Sequence, residues 1–325
     1  MKVFGLIFLF SCCLIFPSLK AQNLSNSTNF QEVSVSAIKG DSSRTGKIIF
    51  RSAKKLKKVS ASIKGDNAAL FKITSKIPEV VGKNDSIVID ISFYPKEFLG
   101  VAEAELVLNS EENKIHSFTV RGLSTKGLEG GKEPPFEKVL QALGFKTEIG
   151  WTTLSNHTRS ELQGEELPQT LFKKANTGDV EMNAVARYSP KFALPFGYFV
   201  TEDSGNPVLK EVGVLANTKD YPEHQTLYPT LERGSTSFDP KDQSFGFYTT
   251  GPTHTAYSID RMNILLSKKF VAHACRIFPV RDSAGVILPN QYLVCFEEAQ
   301  NGDYQDYVFV VKNIEPVSAS DSDKN

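Results

Sequence analysis

Apolar and polar positions alternate in short runs along most of the chain. In the first third the runs are KIIFRS (47–52), KVSASI (58–63), SIVIDISFYP (86–95), AEAELVLNS (102–110) and HSFTVRGLS (116–124). A period of two sends successive side chains to opposite faces of a strand. Turn-forming GDN, GKND and PKEFLG separate the runs. Short strands at this spacing predict an immunoglobulin-like β-sandwich over 22–125. A second series follows: VEMNAVARYS (180–189), FGYFVT (196–201), SFGFYTT (244–250), FVAHACRIFPV (270–280), NQYLVCFEE (290–298) and DYVFVVKNIEP (306–316). It predicts a second sandwich, jelly-roll-like, over 136–316.

Between the two series the period changes. STKGLEGGKEPP (124–135) is rich in Gly, Pro and charge, as a domain boundary is, and 126–135 reads as the linker. PPFEKVLQALGF then places Phe136, Val139, Leu140 and Leu143 on one helical face, with Gly144 as the stop. The expected fold class is therefore all-β: two β-sandwich domains with one short helix at the start of the second.

The ends differ from the body. In MKVFGLIFLFSCCLIFPSLKAQ one lysine, Lys2, is followed by an apolar run from Val3 to Phe16 and a polar stretch ending in Ala21. That order reads as a secretory signal peptide, 1–21, cleaved near Ala21. The run is short for a membrane span, which needs about 20 apolar residues, and no later segment is apolar enough, so no membrane span is expected. Cys12 is a lipid-acceptor alternative that bulky Phe10 fits poorly. The expected location is secreted, periplasmic or cell surface. The polar end, 317–325, reads as a disordered tail.

Charge alters this picture little. Formal net charge is zero, with five excess basic residues over 22–127 and seven excess acidic residues from 128 onward. The basic excess is too scattered to predict nucleic-acid binding. KKLKK (54–58) is its densest part and suits a solvated loop or sheet edge.

Within the first series, IKGDNAALFKIT, VGKNDSIVIDISFYPKEFLGVAEAELVLNS and FTVRGLS resemble ASH-type (ASPM–SPD-2–Hydin) immunoglobulin-like modules over about 34–125. Phe93, Pro95, Gly100 and Gly122 match that pattern. The resemblance implies a sandwich that serves as a spacer or adhesion surface. EPPFEKVLQALGF, SFDPKDQSFGFY, LPNQYLVCFEE and DYQDYVFVVKNIEP resemble a C-terminal module of large secreted bacterial proteins. The last stretch is also weakly similar to the end of DUF4114-type domains, although Gln305 replaces a usual Asn.

Three sets of residues offer chemistry. Glu297, Glu298, Asn301, Asp303 and Asp306 form an acidic loop with enough oxygens for calcium, with Asp239 and Asp260 as further donors from other loops. The alternative is an Asn301-Gly302-Asp303 turn feeding the last strand. Cys275 and Cys295 flank a hairpin whose symmetric pairing about Gly285 would set them opposite each other, close enough for a disulfide. The same register would set His273 opposite Glu297. Nine of the ten tyrosines and the only tryptophan lie in the second series. Trp151, Tyr198, Tyr228 and Tyr248, with Tyr221 and Tyr257, could form a carbohydrate-stacking platform. No nucleophile elbow, zinc-protease helix or P-loop is present. The expected function is a secreted or surface, non-catalytic binding, adhesion or structural module, with calcium as a candidate stabiliser and a protein or polysaccharide as partner. The alternative is a carbohydrate-binding module working with a separate enzyme.

Overall fold

The computed structural model describes residues 32–40, 44–111, 113–127, 131–150, 161–202, 205–217, 225–266, 271–297, 299 and 301–317. The expected leader, Trp151, Tyr221, Glu298 and the tail from 318 lie outside them.

The first sandwich is built from β1 (Glu32–Ile38), β2 (Arg44–Arg51), β3 (Leu56–Lys57), β4 (Ser60–Lys64), β5 (Phe71–Ile73), β6 (Val80–Val81), β7 (Ser86–Phe93), β8 (Gly100–Ser110) and β9 (Asn113–Thr125). One sheet runs β1-β9-β8-β4 and the other β2-β7-β5, with a small β3-β6 pair beside them. All pairings are antiparallel except β1 with β9, which run parallel. The alternation read in the sequence is what fills the core. Ile87, Ile89, Ile91 and Phe93 of β7 turn inward against Ala102, Ala104, Leu106 and Leu108 of β8, while Val88 stays exposed.

The glycine and phenylalanine that mark this segment have a shared packing role. The Phe93 ring lies directly on Gly122, so that any side chain at 122 would strike it. Gly100 begins β8 with φ of +103°, a conformation that side chains disfavour.

The helix α1 (Phe136–Leu143) follows, as its periodicity predicts. Pro135 precedes it and Gly144 ends it in the left-handed region, φ +78°. Phe145 N–H then bonds Leu140 O at 2.9 Å, closing the helix with a glycine cap.

The second sandwich contains β10 (Phe172–Lys174), β11 (Val180–Tyr188), β12 (Leu194–Thr201), β13 (Pro207–Leu215), β14 (Gln225–Leu227), β15 (Leu231–Gly234), β16 (Ser237–Phe238), β17 (Gly246–Thr250), β18 (Thr255–Tyr257), β19 (Cys275–Arg281), β20 (Ile287–Phe296), β21 (Tyr307–Lys312) and β22 (Ile314–Pro316). One sheet runs β14-β11-β21-β20-β19, with β16 also on β11; the facing sheet runs β15-β13-β12-β17-β18; β10 pairs with β22. Met182, Val294, Phe296, Phe309 and Val311 of the first sheet meet Leu194, Phe196, Leu215 and Phe247 of the second. The opposite face of the first sheet is also covered. Leu293, Cys295, Val308 and Val310 pack with Phe136, Val139, Leu140 and Leu143 of α1, and with Leu123 of β9. Both faces of this sheet are apolar because both are buried.

The same layer joins the two sandwiches. Ser34 Oγ–H donates to Ala142 O at 2.6 Å, and Leu227 N–H donates to Ser36 Oγ at 3.2 Å. Within the first sandwich, Arg121 is buried between Glu32 and Glu103, at 2.6 and 2.7 Å.

A second short helix, α2 (Asp260–Leu266), was not expected. RMNILL is too short to display a helical face, so its apolar letters carry no period. No helix among the described residues is long and apolar enough to cross a membrane.

Candidate functional site

Buried titratable groups gather where the 161–171 segment crosses the start of β19. Leu167 N–H bonds Ile277 O at 2.8 Å and holds the segment against that strand. Glu166 thereby points inward. His273 precedes β19, and Asp260 opens α2.

His273 is 1% exposed and sits between two carboxylates. Its Nε2 is 2.8 Å from Glu166 Oε1 and its Nδ1 2.9 Å from Asp260 Oδ2. Ionised carboxylate oxygens only accept, so the two carboxylates favour a ring with hydrogen on both nitrogens, an imidazolium, and Gln169 Nε2 also lies 3.2 Å from Nδ1. Burial opposes that charge, but the hydrogen bonds to Asp260 and Glu166 outweigh it and raise the pKa. The other oxygen of Glu166 pairs with Arg276, whose guanidinium lies 4.7 Å from the centre of the Tyr304 ring. Tyr304 O–H donates to His273 O at 2.6 Å. Asp260 N–H donates to Gln169 Oε1 at 2.9 Å. Two cations and two anions thus close on one another. Neither imidazole nitrogen is available to take a proton or bind a metal.

The hairpin register corrects two expectations. Near the turn Arg281 pairs with Ile287, but beyond a bulge Pro279 pairs with Tyr292. The bulge lies where Pro279 has no N–H to offer and Asn290 adopts φ of +58°. It shifts the pairing by an odd number of residues, so Cys275 faces Phe296 and Cys295 faces Arg276. An odd shift moves side chains to the other face of the sheet. Cys275 therefore packs between the two sheets and Cys295 packs under α1. The expected disulfide is not formed, and both thiols are free and buried. Burial pushes both well above the usual thiol range. For the same reason His273 does not pair with Glu297; Glu297 N–H bonds Ala274 O instead, at 3.0 Å.

Glu297 is fully buried at the end of β20. Its Oε1 accepts Ala299 N–H at 2.8 Å, and its Oε2 accepts Asp303 N–H at 2.8 Å and Tyr304 N–H at 3.2 Å. Three amide hydrogens converge on this carboxylate, where a cation ligand would need open lone pairs. Asn301 Nδ2 donates to Asp303 Oδ2 at 2.6 Å, and Asp306 is buried beside the loop. Asp239 is held by Lys174 and Lys241 at 2.7 and 2.8 Å, and Asp260 by His273, so neither reaches the loop. Glu298 lies outside the described residues. Among the described residues no three His, Cys, Asp or Glu side chains are arranged to hold a metal ion.

The tyrosines among the described residues do not share a surface. Tyr198 stacks on Phe238 at 4.2 Å, with its edge towards Phe245. Tyr248 and Tyr257 are buried, and burial raises Tyr248 to about 12. Tyr228 is 37% exposed, but burial of its hydroxyl, and then the nearby Glu32, raise it to about 12, against Ser34 and Arg121, which lower it. Trp151 and Tyr221 lie outside the described residues.

Sequence reasoning missed Glu166 and Arg276. In QGEELPQ the glutamate reads as a solvated loop residue, and its partners lie more than a hundred positions away. No local signal marks it as buried.

No protein-family model matches the chain, and no curated protein matches it. Among solved structures, the Pseudomonas aeruginosa CupB2 chaperone is 12% identical, covering 70% of this chain and 97% of its own, with a TM-score of 0.23. The secreted serine protease VesC from Vibrio cholerae is 14% identical, covering 70% of this chain and 49% of its own, with a TM-score of 0.22. Likenesses this distant carry no argument about activity.

Proposed function

We propose that the chain is an exported, non-catalytic binding or structural protein in which two β-sandwiches act as one rigid body. The observation that carries this reading is the closure of the His273 network. A general base needs a free nitrogen within reach of a substrate proton, and His273 has carboxylates on both nitrogens. The thiols offer no nucleophile, because burial keeps them protonated. Export is supported by Lys2 and the apolar run that follows it within residues 1–21. The junction contacts of Ser34 with Ala142 and of Ser36 with Leu227 support rigidity.

Two experiments test the reading. Residues 1–21 fused to a reporter enzyme should direct it out of the cytoplasm; a reporter retained inside would count against export. The purified protein should show no turnover on a panel of ester, peptide and glycoside substrates. Turnover that His273→Gln abolishes while the variant remains folded would overturn the non-catalytic assignment.

A further inference from the structure

One end of the first sandwich carries the KKLKK run, and the fold adds charge to it. Leu56, 3% exposed, is buried in the core and pins the run to the sandwich. Its strand, β3, pairs with β6, Leu56 opposite Val81 and Lys57 opposite Val80. Lys54, Lys55, Lys57 and Lys58 flank the buried leucine and are all exposed.

Residues distant in the chain join them. Ser52 N–H donates to Asp85 O at 2.9 Å, and Asn84 N–H donates to Ser52 O at 2.7 Å. Arg51 Nε–H donates to Asn84 O at 3.1 Å. These bonds bring Arg51 and Lys83, both exposed, beside the run. Glu111 N–H bonds Lys57 O at 3.0 Å, and Val59 N–H bonds Glu79 O at 3.0 Å. Segments 51–58 and 79–85 together with Glu111 thus present six basic side chains and three acidic ones. The acids offset little of this charge. Glu111 pairs with Lys58 at 2.6 Å, and Asp85 Oδ2 accepts Gly82 N–H at 3.1 Å. Among the described residues Lys55, Lys57 and Lys83 have no ion pair. Protection of a sheet edge does not account for them. A strand of two residues has little edge to protect, and Lys83 lies on a turn.

The side chains define the kind of partner. Lysine ammonium groups are point charges on flexible stems, and they attract carboxylate, sulfate or phosphate without demanding one geometry. A flexible polyanion meets several of them at once. No aromatic side chain in these segments offers a platform for stacking bases. Val80, 56% exposed, is their one exposed large hydrophobic side chain. That is too little apolar surface to enter a bilayer.

We propose that this end of the first sandwich is a docking surface for an anionic polysaccharide. It gives a site and a ligand class to the binding role proposed above, and it rests on export for the choice of a polymer outside the cytoplasm.

Retention of the chain without residues 1–21 on immobilised alginate and dextran sulfate, a carboxylate and a sulfate polymer, tests this at physiological salt, about 150 mM. At least one of them should retain the protein, neutral dextran should not, and added salt should release it. Each exposed ion contact contributes a factor of about two. Lys55→Gln, Lys57→Gln and Lys83→Gln combined should therefore weaken binding about tenfold, with Tm unchanged. Lys126→Gln, Lys191→Gln and Lys210→Gln combined remove the same charge from exposed positions elsewhere, and should leave binding intact. The proposal is overturned if neither polymer retains the wild type, or if the two triple variants lose affinity equally. Tighter binding to phosphatidylglycerol vesicles than to either polymer would also overturn it, and make the partner a membrane. None of these results depends on the reporter or turnover assays, so the two readings fail separately.

Discussion

His273→Gln is the sharpest test of the closed ion network. The substitution removes a cation from between Glu166, whose side chain is 2% exposed, and Asp260, at 18%. Glutamine reaches one of the two carboxylates at most and brings no charge. Glu166 keeps Arg276, but Asp260 is left without its cation. Removing one member of a buried ion pair costs about 3–5 kcal/mol, because the partner charge remains desolvated. The partial exposure of Asp260 lets water recover some of its loss, which places the expected cost at the lower end, about 3 kcal/mol. Total stability of a natural protein is about 5–15 kcal/mol, so the change is large. It is measured by urea denaturation of wild type and variant across pH. Because His273 has a raised folded pKa, its contribution is fully present below the unfolded value, about 6.5. It is lost as pH rises through the folded pKa. The wild-type-minus-variant difference should therefore shrink at alkaline pH. A cost under about 1 kcal/mol in mildly acidic buffer, or a difference that grows with pH, would refute the imidazolium assignment.

Other consequences are as direct. In the chain without residues 1–21, two thiols should react with a thiol reagent in denaturant and neither in the native protein; one bridge, or rapid native labelling, would contradict the observed register. Phe136→Ala removes a ring that is 1% exposed between α1 and the sheet, and should cost about 3–5 kcal/mol in equilibrium unfolding. Gly122→Ala drives a methyl group into the Phe93 ring and should lower Tm by several degrees, consistent with about 1–3 kcal/mol of overpacking. Millimolar calcium should leave Tm unchanged, since three amide hydrogens already occupy Glu297; a rise would mean that a cation binds the native state.

Much of the fold is legible from letters alone. Ile87, Ile89, Ile91 and Phe93 alternate because one face of β7 is core and the other is solvent. Phe136, Val139, Leu140 and Leu143 recur at helical spacing because α1 buries one side, and Gly144 marks its end. These are local properties, set by backbone geometry and by the separation of water from apolar groups, and they act within a few residues. Hairpin register was not legible. A bulge near Pro279 shifts the pairing by an odd number of residues, which sends the two cysteines to opposite faces. The periodicity of β19 and β20 is the same in either register when both faces are buried. Nor could the sequence show that Glu166 is a buried ion. A glutamate between Gly and Pro looks solvated until a strand distant in the chain brings His273 and Arg276 against it. What the sequence by itself determined was the type of each element and the face it buries, because those follow from short-range chemistry. The tertiary structure alone decided which charges meet and which thiols part, because those depend on contacts between residues far apart in the chain.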